Sequence, residues 1–270
     1  MGLPFWKLSA TGNDFVVIDH REPKLQAARL PEFTAVVCAR RTGVGADGLL
    51  LLEDGKAEEV AFRMRYFNAD GSMAAMCGNG GRALAWLARQ LGLWENEGSF
   101  LAEDGHHRIF ARDDHLGVAL MVQSDPRQIS LDGGRTGWFL ETGVPHLVLH
   151  AKDLDREDVA GLGARYRYDR RFQPEGTNVN FIQIDESVLK IRTYERGVEH
   201  ETLSCGTGIL ASTVVATRTS AFPIPADIQV AGGRLRITRE NKDWILWGGV
   251  DEVYTGELTL NGNVREYLAT

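Results

Sequence analysis

Two segments of this chain open in the same way. MAAMCGNGGRALAWLA runs from Met73 to Ala88, and TLSCGTGILASTVVA runs from Thr202 to Ala216. Each sets Cys-Gly-x-Gly ahead of a run rich in small and apolar residues. Registering Cys77 on Cys205 gives an offset of 128 residues, at which Gly78 meets Gly206, Gly80 meets Gly208 and Tyr66 meets Tyr194. A second echo precedes it: TGNDFVVI (Thr11 to Ile18) resembles TGVPHLVL (Thr142 to Leu149) at an offset of 131. Two echoes in one order at nearly one offset imply two similar halves, each of roughly 125 residues.

The halves read alike. A β-rich opening leads to a helix, Pro31 to Arg41 in the first half and about Asp155 to Arg165 in the second. Strand-like runs follow, FRMRYFN (Phe62 to Asn68) and LKIRTYE (Leu189 to Glu195), and then the helix headed by the cysteine. Residues 83–88 are all apolar, and no charge occurs from Gly206 through Thr217. A helix that is apolar on all sides is buried on all sides. The expected fold is therefore α+β. It consists of two pseudo-repeated domains, each a curved β-sheet or barrel wrapped around a central helix, with the active site in the cleft between them. Residues 1–124 with a C-terminal tail of about 255–270 would form the domain carrying Cys77, and 125–254 the domain carrying Cys205. The join is placed near Gln123 to Gln128, and the tail includes VYTGELTL, Val253 to Leu260.

Composition narrows the class. With 270 residues, 43% of them apolar and 25% charged, the chain has material for a well-buried core. A net charge of −7 argues against nucleic-acid binding and offers no polybasic membrane patch. MGLPFWKLSATGNDF lacks the basic and apolar regions of a signal peptide, and no apolar run approaches the roughly 20 residues that cross a bilayer. The three cysteines, Cys38, Cys77 and Cys205, form neither a disulfide framework nor a CxxC metal site, so a cytoplasmic location is expected. Cys38, in FTAVVCARR, reads as a small core hydrophobe.

The two glycine turns carry the chemistry. A helix begins with four N–H groups that lack an intrahelical partner. Glycine there lets a ligand approach the backbone closely, and the natural guest is an anion such as a carboxylate. The same dipole lowers the pKa of a thiol from about 8.5. Two such ends holding one carboxylate would aim two thiols at the adjoining carbon from opposite faces. One thiolate would remove a proton while the other thiol delivers one, inverting the centre. Such a reaction needs no metal and no carbonyl cofactor.

At these residues the chain resembles the diaminopimelate epimerases, cofactor-independent amino-acid epimerases of lysine and cell-wall precursor synthesis. The matching pieces are GNDFVVID (Gly12 to Asp19), YFNADGS (Tyr66 to Ser72), MCGNGGRA (Met76 to Ala83), TNVNFIQI (Thr177 to Ile184) and YERGVEHETLSCGTG (Tyr194 to Gly208). The resemblance implies interconversion of LL- and meso-diaminopimelate by a cytoplasmic homodimer without metal or cofactor. It implies that Cys77 and Cys205 are the catalytic pair, with Gly78, Asn79, Gly206 and Thr207 holding the reacting carboxylate. Asn13, Asn68, Asn178 and Arg196 match substrate-binding positions, and a guanidinium suits the distal carboxylate. Glu195 matches a residue beside the substrate ammonium that influences a thiol, and His146 a histidine that tunes the other thiol. Two positions depart from many members: Val144 stands where they carry asparagine, and Gly48 where they carry glutamine. A different diacidic amino acid stays open as substrate.

Other readings stand beside this one. A redox protein could join Cys77 and Cys205 in a reversible disulfide, and an amino-acid-binding module would use the turns but not the two thiols. GVGADG (Gly43 to Gly48) fits GxGxxG formally, but it follows a helix-like segment and precedes LLLLE, so it reads as a turn. No HExxH suggests a metal, no lysine has a convincing pyridoxal-phosphate setting, and His106 and His107 read as solvated.

Overall fold

The computed structural model describes residues 2–259 and 266–269, so residues 260–265 and 270 of the expected tail lie outside the described residues. Two compact units result. One runs to Val118 and resumes at Gly248, and the other is Ala119–Trp247.

The first unit contains β1 (Leu3–Ala10), β2 (Asn13–Asp19), α1 (Leu30–Cys38), β3 (Gly48–Glu53), β4 (Phe62–Asn68), β5 (Met73–Ala74), α2 (Gly78–Gln90), β6 (Glu97–Ala102) and β7 (Gly105–Arg112). β8 (His115–Leu120) ends at the division between the units. The second contains β9 (Arg127–Ser130), β10 (Thr136–Glu141), β11 (Pro145–His150), α3 (Val159–Arg167), β12 (Asn178–Asp185), β13 (Val188–Glu195), β14 (His200–Thr202), α4 (Gly206–Ser220), β15 (Ala226–Val230), β16 (Gly233–Glu240) and β17 (Asp243–Gly248). β18 (Asp251–Leu258) then returns to the first unit, antiparallel to β1.

The pairing repeats element for element. β1–β2 is antiparallel, β2–β3 parallel, β3–β4 and β4–β5 antiparallel, β4–β6 parallel and β6–β7 antiparallel. β10–β11 is antiparallel, β11–β12 parallel, β12–β13 and β13–β14 antiparallel, β13–β15 parallel and β15–β16 antiparallel. Each half therefore joins its two parallel pairs by way of a helix, α1 and α2 in one, α3 and α4 in the other, as parallel strands require a crossover. This is the pseudo-repeated α+β fold that the sequence echoes imply.

The unbroken leucine run of β3 follows from this layering. Leu50 and Leu52 pack in the cluster around α2 with Phe15, Met64, Ala83 and Leu84, whereas Leu49 and Leu51 pack against α1 with Phe33 and Val37. A strand covered on both faces has no reason to alternate with polar residues. All four leucines have no exposure, and truncating Leu50 to alanine would cost about 2–5 kcal/mol. In β12 the two faces differ. Val179 and Phe181 pack in the cluster that includes Val159 and Tyr166 of α3, and the alternate positions are Asn178 and Asn180.

Helix ends depart from the sequence expectation. α1 stops at Cys38, not Arg41, because Ala39 turns extended and Gly43 crosses the helix end. A Cβ on Gly43 would stand 2.3 Å from the Val36 carbonyl oxygen. α3 starts at Val159 rather than about Asp155, because the Asp158 side chain accepts from the Gly161 amide and caps the first turn. His107 is not solvated. It lies in β7, stacks on Phe100 with centroids 5.2 Å apart and stands 3.1 Å from Asp104. Among the described residues no helix is long and apolar enough to cross a membrane.

Candidate active site

Cys77 is the N-cap of α2 and Cys205 the N-cap of α4, both with extended backbone and neither helix with a side-chain cap. The first amides that bond back are Gly81 to the Cys77 carbonyl (2.7 Å) and Ile209 to the Cys205 carbonyl (2.9 Å). The amides of Gly78, Asn79 and Gly80, and those of Gly206, Thr207 and Gly208, therefore lie ahead of each helical ladder, where an anion binds. Cys77 is half-buried and Cys205 is 8% exposed. Cys38, in contrast, packs in the α1 cluster, and burial pushes its thiol up to about 12.

Around the Cys77 mouth the β1–β2 turn is built from Thr11 and Gly12, both at positive φ, a geometry that suits a two-residue hairpin. It delivers Asn13 to the start of α2, where the Asn79 amide donates to Asn13 Oδ1 at 2.7 Å. Asn13 in turn donates to Asp47 at 3.0 Å, and Asp47 is paired with Arg40. Asn68 ends β4 and is held by Ser72, donating its side-chain amide to Ser72 Oγ at 3.0 Å. One residue here was missed by the sequence reading. Arg82, in the first turns of α2, has no exposure, and it donates to Thr11 Oγ1 (2.9 Å), Asn79 Oδ1 (2.7 Å) and the Gly78 carbonyl (3.3 Å). Burial lowers its pKa to about 10, and the charge of Cys77 acts in the opposite sense. The available signal was a guanidinium directly ahead of the apolar run Ala83 to Ala88.

Gly48 lies directly across from Asn68 and beside Phe15. A Cβ there would stand 2.5 Å from the Phe67 carbonyl oxygen and 2.6 Å from the Tyr66 ring. This backbone therefore excludes a glutamine at position 48, and Tyr66, edge-on to Phe15, occupies the space.

The Cys205 mouth is organised from the sheet. Asn180 on β12 donates its amide to the Leu147 carbonyl (3.2 Å) and accepts from Thr193 Oγ1 (3.0 Å), which fixes its orientation. The same amide therefore donates to His146 Nδ1 at 3.0 Å. That leaves the proton of His146 on Nε2, which donates to Thr207 Oγ1 at 3.0 Å. Thr207 Oγ1 lies 3.5 Å from Cys205 Sγ, close enough for its hydroxyl to donate to the sulfur. Burial, then the nearby Arg196 charge, drives the His146 pKa down to about 3, so the imidazole is neutral at physiological pH. Asn180, Thr193 and Thr142, whose hydroxyl donates to the Thr207 carbonyl at 3.0 Å, were not singled out by the sequence reading. Asn180 had a legible signal, a polar residue alternating with Val179 and Phe181 in a buried strand.

Asn178 ties this mouth to the Arg196 turn. Its amide donates to the Pro145 carbonyl (3.2 Å), and its oxygen accepts from the Arg196 amide (2.8 Å). Among the described residues the Arg196 guanidinium pairs with no carboxylate and donates to the Glu175 carbonyl at 3.2 Å. Glu195 accepts from Thr202 Oγ1 at 2.8 Å, and burial raises its carboxyl above the usual range, against the Thr202 hydrogen bond and His200. Val144 contributes its carbonyl, which accepts from the Thr142 amide at 3.2 Å. Among the described residues no three of His, Cys, Asp and Glu come together as a metal-binding group.

Comparison with known proteins places these features in one family. The family model described as "Diaminopimelate epimerase" matches residues 5–125 and again 138–260. The chain is 38% identical to the diaminopimelate epimerase of Aquifex aeolicus, covering 95% of this chain and 98% of that one. It is 37% identical to that of Chlorobaculum tepidum, covering 94% and 100%. Among solved structures, a phenazine biosynthesis protein of the PhzF family from Enterococcus faecalis superposes with a TM-score of 0.73 at 15% identity, over 96% of this chain and 100% of that one, and so shares the fold.

Proposed function

The chain belongs to the diaminopimelate epimerase family and is an isomerase, and from that premise we propose that it interconverts LL- and meso-diaminopimelate by proton transfer between Cys77 and Cys205. The observation that carries this reading is the repeated mouth: a cysteine at the N-cap of each central helix, with three amides ahead of the ladder beside it.

In this reading the amides of Gly78, Asn79, Gly206 and Thr207 hold the reacting carboxylate. One thiolate takes the α-proton, and the electron pair of the broken C–H bond spreads into that carboxylate. The aligned amides stabilise the charge as it grows. The other thiol gives its proton to the opposite face, so the two sulfurs end with their protonation states exchanged. Glu195 receives the substrate ammonium, whose charge opposes the effect of burial on the carboxyl. Arg196 has donors for the distal carboxylate, with Asn13, Asn68 and Asn178 completing recognition. Gly48 and Val144 leave the substrate's outline to Tyr66 and to backbone groups. The reading extends to a cytoplasmic homodimer acting in lysine and peptidoglycan-precursor synthesis without a cofactor. Sedimentation and rescue of a lysine auxotroph check those parts.

The test is α-proton exchange followed by NMR. Reduced protein and LL-diaminopimelate in D₂O, without added cofactor, should lose the α-proton signal as the meso form appears. Cys77→Ala and Cys205→Ala should not epimerise. Exchange with another diacidic amino acid instead would move the substrate assignment to the altered positions 48 and 144. No exchange with any amino acid would overturn the catalytic reading in favour of a redox or binding role.

A further inference from the structure

We propose that Asp104, at the tip of the β6–β7 hairpin, is a positioning residue that holds Cys77 in place for proton transfer. The inference rests on the two-cysteine reading above and adds a residue on which that reading depends.

Residues 75–77, between β5 and α2, belong to no strand or helix. A reacting sulfur on such a segment needs an anchor outside it, because a misplacement of about 1 Å costs on the order of 10²-fold in rate. The hairpin supplies that anchor. Asp104 accepts from the Met76 amide at 3.2 Å, one peptide bond ahead of Cys77. Against the partial burial that would raise it, His107 and the Met76 amide hold the Asp104 carboxyl below its ordinary range, so it is an anion that only accepts. His107 Nε2 therefore donates to it at 3.1 Å, and the His107 ring stacks on Phe100. Phe100 in turn lies against the helix start beyond Cys77. A Cβ on Gly81 would stand 3.3 Å from Phe100 Cζ and 3.6 Å from Met76 Sδ. One hairpin thus holds the chain on both sides of the cysteine.

The second half carries the same tie through different atoms. At the 128-residue offset Asp104 meets Gly232, and each stands second in a two-residue turn. Ala102 pairs with Gly105 across one hairpin, and Val230 with Gly233 across the other. The Gly232 amide donates to the Leu203 carbonyl at 2.8 Å, two residues ahead of Cys205. A backbone group does there what the Asp104 side chain does in the first half. The recurrence marks the tie as part of how each mouth is built, and it leaves the Cys77 mouth as the one that a single side chain controls.

Steady-state kinetics and NMR amide exchange in the intact protein test this together. The Asp104 side chain is 41% exposed, so replacing it leaves the core intact. In Asp104→Ala, kcat should fall about tenfold or more while KM stays within about threefold, and hydrogen exchange at the Met76 amide should quicken about tenfold or more. Asp104→Asn, whose side-chain oxygen still accepts from Met76, should stay within about threefold of wild type in both readouts. Glu103→Ala, in the same turn, should match wild type. An unchanged kcat or unchanged Met76 exchange in Asp104→Ala overturns the proposal. So does a loss in Glu103→Ala as large as that in Asp104→Ala, or no recovery in Asp104→Asn, since either would reduce the tie to general support of the turn. Amide exchange needs no turnover, so failure of the epimerase reading would appear separately, as wild-type protein inert in the α-proton assay while Met76 still responds to Asp104→Ala.

Discussion

The two helix mouths share a backbone and differ in which element keeps the polar group. In the first half the helix supplies Arg82, and the sheet supplies Phe15 and Leu50, both in the apolar cluster around α2. In the second half the helix supplies Leu210, and the sheet supplies His146 and Asn180. The strand positions correspond by register: Phe15 opposes Gly48 and His146 opposes Asn178, each across a parallel pair, and Leu50 and Asn180 lie two residues further along. One duplicated scaffold thus carries a buried arginine within one central helix and, beside the other, a neutral hydrogen-bond relay with the Arg196 charge nearby. The lesson is that a repeat keeps the backbone geometry of a helix mouth, while single exchanges on either side of it change the groups packed around each cysteine.

The comparison breaks first at the sulfurs. Cys77→Ala and Cys205→Ala should each lower epimerisation on the order of 10³-fold or more, because proton transfer needs both groups. A variant that keeps most of its activity would mean that one mouth suffices. Next come the matched glycines. A Cβ at Gly208 would stand 2.4 Å from Asn180 Oδ1, inside the buried network, whereas one at Gly80 would meet the side-chain ends of Leu50 and Met64 at 3.3 Å and the Phe15 ring at 3.7 Å. Gly208→Ala should therefore lose about 1–3 kcal/mol in denaturant unfolding. Gly80→Ala, gaining about 1 kcal/mol of helix propensity, should remain within that amount of wild type. Equal losses would show that the two helix starts are held alike.

Acid should separate the halves further. The folded-state pKa of His146 lies near 3, below the ordinary 6.5, because burial disfavours the charged ring. The unfolded chain therefore binds the extra proton between these values, and the stability contributed by the neutral ring is present above pH 6.5 and lost as pH falls toward 3. The fall in unfolding free energy from pH 6.5 to 4 should be shallower in His146→Gln than in wild type. Parallel slopes would remove His146 as the acid-sensitive group. The smallest effect is at Thr207. Thr207→Val removes the hydroxyl between His146 and Cys205, and kcat should fall roughly tenfold, about 1.4 kcal/mol, with KM little changed.

Much of the scaffold was readable because it rests on local chemistry. Cys-Gly-x-Gly before an apolar run marks both helix starts, and Phe62 to Asn68 is β4 as the strand-like run implies. The positions of α1's end and α3's start depend on a backbone crossing at Gly43 and on the Asp158 cap, which hydrophobic periodicity does not register. Arg82 lies within the glycine-rich segment Met73 to Ala88 itself. Its burial follows only once the face of α2 that carries it is known to be covered, since an arginine in a helix is ordinarily solvated. Asn180 and Thr193 are polar residues in strands, and their roles come from the cross-strand register that brings them together. The glycine at position 48 reads, beside the family that the sequence resembles, as a missing glutamine. In the fold it is the space that Tyr66 fills.

The most direct measurement of the central claim follows deuterium entry into each stereoisomer separately, LL and meso, in Cys77→Ala and Cys205→Ala. If the thiols face opposite sides of one α-carbon, neither variant inverts the centre, and any washing-in of solvent deuterium without inversion favours one isomer in Cys77→Ala and the other in Cys205→Ala. Inversion surviving in either variant, or both variants favouring the same isomer, would contradict the two-thiol account.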